Sequence, residues 1–148
     1  MPEPSFLLDG MLGSLARWLR IMGYDTEYLK DREDDELLTL QGERYLLTRD
    51  RQLAQRAGAR GFYLESEELD VQLSAAVERF GLRFDLERTR CTACNGPLEK
   101  VPKDLVKEQV AEGTWNGHQE FWRCRECGKV YWQGAHWKNI RRRLEMIS

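Results

Sequence analysis

The first eighty residues alternate short apolar runs with amphipathic stretches of helical period. Ser5-Phe-Leu-Leu-Asp9 is a brief apolar run closed by a carboxylate and reads as a buried strand. From Gly10 to Met22, residues Met11, Leu12, Leu15, Ala16, Leu19 and Met22 recur at helical spacing, with Gly23 as the stop. Tyr24 to Leu29 predicts a second strand. The acidic run Asp31 to Glu36 leads into Leu37, Leu38 and Leu40 as the start of a short helix. Arg44 to Thr48 is a third strand closed by Arg49-Asp50, Arg51 to Ala57 a helix, and Gly61 to Leu64 a fourth strand. Ser66-Glu-Glu-Leu69 supplies an N-cap signal for a helix running to Phe80. Strand and helix in strict alternation predict an α/β fold with a parallel sheet.

The pattern changes near residue 90. Glu99 to Pro102 predicts a strand, and Lys103 to Ala111 a short helical or extended excursion. Glu120 to Cys124 and Lys129 to Gln133 read as a hairpin. Phe121-Trp122 and Tyr131-Trp132 are adjacent pairs, so alternation turns one ring of each pair outward. His136 to Leu144 is a basic helix with Trp137, Ile140 and Leu144 on one face and Lys138, Arg141, Arg142 and Arg143 around it. The chain therefore divides into an α/β domain at 4–88 and a small β-rich module with a basic C-terminal helix at 89–148.

Charge follows the same division. The net charge is -2, but residues 1–90 hold 13 Lys and Arg against 18 Asp and Glu, whereas residues 91–148 hold 10 against 7. At 41% hydrophobic and 32% charged, the 148-residue chain has the composition of a globular protein and excludes wholesale disorder. No stretch reaches the roughly 20 apolar residues that cross a bilayer, so no membrane association is expected. The N-terminal residues lack the basic and apolar regions of a secretory signal, which leaves a reducing, cytoplasmic setting as the expectation.

In that setting the cysteines are metal ligands rather than disulfides. Cys91-Thr-Ala-Cys94 and Cys124-Arg-Glu-Cys127 form two CxxC pairs with 29 residues between them. Two such pairs make a closed, tetrahedral all-thiolate set for one structural zinc ion in a ribbon-type module. Gly96 and Gly128 follow closely, as knuckle turns require. With four cysteines present, His118 and His136 are not needed as ligands.

The first domain carries a different candidate. Ligands of parallel α/β sheets bind beyond the carboxyl ends of the strands. Two strands run directly into Asp9 and Asp50, and Asp34 and Asp35 open a helix. Gathered carboxylates repel, and oxygen ligand sets suit Mg²⁺ or Mn²⁺. Equally, Asp9 and Asp50 could cap the helices that follow them, and Asp34 and Asp35 could complement a helix dipole. Arg17, Arg20, Arg49 and Arg51 flank these acids and suit phosphate, or simple carboxylate pairing. Thr48 suits either a hydrogen bond to this site or a structural role.

Phe6-Leu-Leu-Asp-Gly-Met-Leu-Gly-Ser-Leu-Ala-Arg-Trp-Leu-Arg20, Gly23-Tyr-Asp25, Asp34-Asp-Glu-Leu-Leu38 and Leu46-Leu-Thr-Arg-Asp-Arg51, with the double CxxC, resemble the Mut7-C family. The resemblance runs from Phe6 to about Arg143 and implies a PIN-like ribonuclease domain followed by a four-cysteine zinc ribbon. It implies Asp9, Asp34 or Asp35, and Asp50 as catalytic acids, with Asp9 and Asp50 as direct Mg²⁺ or Mn²⁺ ligands. A fourth acid, common in such domains, has only Glu65, Glu67 and Asp70 as unaligned candidates. RNA is the implied partner, positioned by Arg17, Arg20, Arg49 and Arg51 and by Arg141, Arg142 and Arg143 of the basic helix. The outward aromatics would grip single strands by stacking, or serve the core of the small module. Two other functions fit the same residues: a catalytically silent RNA- or ribosome-associated protein, and an adaptor whose ribbon docks another protein.

Overall fold

The computed structural model describes residues 3–134 and 136–147. The first sheet has four parallel strands, β1 (Phe6–Asp9), β2 (Thr26–Leu29), β3 (Tyr45–Thr48) and β4 (Gly61–Tyr63), in the order β2-β1-β3-β4. Each is joined to the next by helix: α1 (Gly13–Ile21), α2 (Asp34–Leu40) and α3 (Arg51–Ala57), with α4 (Leu69–Phe80) after β4. The central strands are near-continuous apolar runs because helices cover both faces. Phe6 and Leu8 point one way into a core with Leu15, Leu19, Leu47 and Leu73, where α1 and α4 pack. Leu7 and Leu46 point the other way, onto Leu37 of α2 and Leu53 of α3. The register pairs Leu7 with Leu46 and Leu8 with Leu47, so each layer is built from aligned positions.

The helix predicted from Gly10 begins at Gly13, because Asp9 first closes a tight turn whose carbonyl accepts from Leu12 N at 3.0 Å. Ser66 does not cap α4. Its hydroxyl accepts from Glu68 N at 2.9 Å, a local turn that delays the helix to Leu69.

A second sheet is antiparallel, with β5 (Leu98–Val101), β6 (Phe121–Cys124) and β7 (Val130–Tyr131) in that order. A 3₁₀ turn at Lys103–Val106 and the short helix α5 (Glu112–Gly117) fill the β5–β6 excursion. One face of this sheet is sealed by Val101, Val106 and Phe121, with Trp115 and Trp132 packed against them. The last helix, α6 (His136–Ile147), leaves this module and returns to the first core, where Leu144 is 1% exposed.

The two parts are tied by hydrogen bonds rather than by a bare linker. Thr89 Oγ1 donates to Ile21 O, and Arg90 N to Arg20 O, at 2.7 and 2.8 Å. Asn95, 5% exposed, accepts from Thr26 N at the head of β2 and donates to the Asp25 carboxylate at 2.6 Å.

Candidate functional site

Consider first the cysteines. Two tight turns bring Cys91, Cys94, Cys124 and Cys127 together, their sulfurs all within 4.8 Å of one another. Cys91 and Cys127 are 3.7 Å apart and Cys94 and Cys124 3.4 Å, far beyond an S–S bond. A tetrahedron with zinc–sulfur bonds of about 2.3 Å has edges of about 3.8 Å, so the spacing suits a single ion. The four cysteines are therefore positioned to bind a metal ion.

The turns are shaped for this. Glu126 N and Cys127 N donate to Cys124 Sγ at 3.4 Å, as amides do around bound thiolates. Gly128 has φ +80°, a left-handed conformation that side chains resist. Gly96 is required for a different reason: a Cβ there would stand 2.8 Å from Cys124 Sγ. Tyr131 OH lies 2.9 Å from Cys91 Sγ. Burial pushes the Cys91 thiol up, but the Tyr131 hydroxyl and the amides of Cys94 and Ala93 outweigh it and bring the thiol down to about 7. Burial and the neighbouring thiols push Cys94 up to about 12. Metal binding needs these sulfurs as thiolates, so a cation held here would be taken up with release of protons.

Next, the acidic edge. Asp9 ends β1 and sits beside Thr48, the last residue of the adjacent β3, since Leu8 pairs with Leu47. Thr48 Oγ1 donates to Asp9 Oδ2 at 2.5 Å and accepts from Asp50 N at 3.0 Å. Asp50 Oδ1 accepts from Gln52 N and Leu53 N, so this residue does cap α3. Its Oδ2 has no hydrogen-bond partner among the described residues. The capping alternative and a place at the strand edge are compatible for Asp50. Asp9, by contrast, caps no helix, because α1 starts beyond Leu12.

Asp34 and Asp35 part company. Asp35, with its side chain 85% exposed, forms an ion pair with Arg56 of α3, while Asp34 is half-buried in the first turn of α2. Among the described residues the four cysteines are the one group of three or more His, Cys, Asp or Glu placed to hold a metal ion.

The arginines also divide. Arg20 is 6% exposed and its guanidinium donates to Thr26 O at 2.9 Å and to Thr92 O at 2.8 Å. Through these two bonds it fastens the cysteine module to the sheet. Arg49 donates to Glu65 O at 3.2 Å and pairs with Glu67, and Arg51 lies over the Tyr63 ring at 5.1 Å. Arg17 is exposed on α1, and Arg141 and Arg142 are exposed on α6. Arg143 is held by Asp70 at 2.6 Å and covers Trp18. Glu67 and Asp70 are thus engaged by arginines, and Glu65 is exposed just beyond β4.

Three residues with evident roles escaped the sequence pattern: Asn95, Tyr131 as a partner of Cys91, and Arg56 as the partner of Asp35. Only Asn95 had a usable signal, since asparagine straight after a CxxC suits the left-handed φ of 72° found there.

No helix among the described residues is long and apolar enough to cross a membrane. No curated protein and no solved structure matches the chain. The model of the Mut7-C RNAse domain does, over residues 4–144, a span that takes in the parallel sheet, its acidic edge and all four cysteines. The chain belongs to the Mut7-C RNAse domain family.

Proposed function

We propose that this protein is a metal-dependent ribonuclease that hydrolyses RNA phosphodiester bonds at the acidic carboxyl edge of its parallel sheet. The family match carries the reading, and the Asp9–Thr48–Asp50 linkage across adjacent strands supports the choice of this edge. Asp9 and Asp50 present hard oxygen donors, and Mg²⁺ or Mn²⁺ is held by one or two carboxylates plus substrate phosphate rather than by a full protein cage. Such a cation supplies Lewis acidity and offsets charge on the phosphoryl oxygens.

The chain's own groups do the rest. Thr48 donates to Asp9 Oδ2 and the Met11 amide donates to Oδ1 at 3.3 Å, so the carboxylate is held in one orientation. Asp50 is fixed by the α3 amides through Oδ1, which leaves Oδ2 without a hydrogen-bond partner among the described residues. Asp34 is favoured over Asp35 as the third acid, because Arg56 occupies Asp35. A domain boundary near residue 89, zinc as the structural metal and a PIN-like, ribbon-like pair of modules complete the proposal, with the ribbon aiding RNA binding.

Asparagine caps helices as well as aspartate does, so Asp50→Asn removes charge while sparing α3. Purified protein with labelled RNA and Mn²⁺ should cleave, and Asp9→Asn and Asp50→Asn should each lose most of that activity. Equal cleavage by all three would assign it to a contaminant. The dispersed carboxylates favour one rival, an RNA-binding protein without catalysis, which predicts tight RNA binding and no cleavage by any form.

A further inference from the structure

A cleft of about 1030 Å³ lies between α1, the open face of the antiparallel sheet and the start of α6. It is distinct from the acidic edge. Its floor follows from strand alternation. Phe121 and Val101 face the sealed side, so Lys100 and Trp122 face the other. Register then sets Lys100 beside Trp122 and Trp122 beside Tyr131, a row across all three strands. All three line the cleft.

The opposite wall is the outer face of α1, where Ser14, Arg17, Trp18 and Ile21 recur at helical spacing. From Ser14 to Ile21 that wall is about 10 Å long at 1.5 Å per residue. Ser14 lies in the first turn of α1, five residues beyond Asp9, so this wall follows directly in the chain on the strand that ends at the acidic edge. Trp137 closes the third side, and its indole N–H is buried with no acceptor among the described residues. Arg17, Lys129 and Arg141 stand along the rim. The acids there are Glu87 and Glu120, and Glu120 is paired with Lys100 at 3.5 Å.

A sheet face with two rings side by side, flanked by cations, is the chemistry of unstacked bases on a tracked backbone. A duplex keeps its bases stacked on each other and offers nothing to such a row. We propose that this cleft binds a single-stranded segment of RNA, about three nucleotides at roughly 3.4 Å each, and feeds the strand to the acidic edge. Bases stack on Trp122 and on the Tyr131 ring, over which Lys129 lies at 5.3 Å, and Arg17, Lys129 and Arg141 follow the backbone. The proposal rests on the ribonuclease reading for its function but not for its test.

That test is equilibrium binding by the zinc-loaded full chain, without added Mg²⁺ or Mn²⁺. The probes are a short labelled oligouridylate and a blunt RNA hairpin of equal length whose strands are joined by a non-nucleotide linker, so that it has no unpaired bases. The single strand should bind more tightly than the hairpin. Trp122→Ala should weaken it about 5- to 150-fold, the worth of one stacked base, with Trp122→Phe recovering part of the loss. Arg141→Glu, on an exposed position, should weaken binding and reduce the salt dependence by about 0.7 in the log–log slope. Zinc content and melting temperature show that each variant is folded. Equal binding of strand and hairpin, or unchanged binding in both Trp122→Ala and Arg141→Glu, overturns the cleft. Cleft-dependent binding without cleavage in Mn²⁺ upholds it while removing the ribonuclease reading. Cleavage with binding indifferent to these variants does the reverse.

Discussion

Asn95 joins the cysteine module to the α/β sheet, and replacing it tests whether that joint is part of the fold. Its Oδ1 accepts from the amide of Thr26, a residue that is 0% exposed, and its Nδ2 donates to Asp25. Asn95→Gly deletes these bonds, and the 3.2 Å bond that Oδ1 accepts from Arg90 Nε, while tolerating the φ of 72°. The Thr26 amide is then buried without an acceptor, which costs about 1–3 kcal/mol. For a chain of this size each kcal/mol moves Tm by about 2–4 °C, so the expected fall is about 2–12 °C. Asn95→Ala loses the same bonds and adds about 1–2 kcal/mol of left-handed strain, so it should melt lower still. Differential scanning calorimetry of zinc-loaded protein reads both. Amide exchange adds a local check, since Thr26 should lose protection first. A Tm for Asn95→Gly within about 1 °C of the parent would refute the claim that the knuckle completes the sheet edge.

Three further predictions concern the same region. Tyr131→Phe deletes the hydroxyl beside Cys91 and should weaken metal affinity about 10- to 100-fold in a chelator competition, with the fold retained. Gly96→Ala forces a Cβ against Cys124 and should destabilise by roughly 1–3 kcal/mol in denaturant unfolding, with reduced zinc content. Burial raises the Asp25 carboxyl, but hydrogen bonds from Arg44 and Asn95 and the charges of Arg44 and Arg90 outweigh it, leaving the group below its ordinary 3.8. Its contribution is therefore full above that value and lost as pH falls through the folded one. Asp25→Asn should flatten the acid limb of the stability curve below about pH 4, and an unchanged limb would contradict this.

Much of this was legible in the chain because it depends on local pattern. Phe6-Leu-Leu8 and Leu46-Leu47 announce buried parallel strands, since only strands covered on both faces can be apolar throughout. The cysteine pairs announce their site because CxxC brings two sulfurs together through a single turn. What stayed hidden depends on residues far apart in sequence. Arg20 sits beside the acidic motif, yet its side chain runs to Thr92, 72 residues on. Asp34 and Asp35 look interchangeable in sequence, and only the approach of α3, with Arg56, separates them. The basic helix reads as part of the cysteine module because it follows it, whereas Leu144 is buried in the first core. Asp50 was undecided between capping and ligation because one carboxylate has two oxygens and can do both.

The central claim is that the carboxylates at the strand edge converge on a divalent cation, and a crystal soaked in Mn²⁺ tests it most directly. Anomalous density should appear at the carboxyl ends of β1 and β3, within coordination distance of Asp9 and Asp50, with Asp35 still paired to Arg56. Density held by Asp35 instead, or an empty edge at saturating Mn²⁺ alongside a filled cysteine site, would contradict the account.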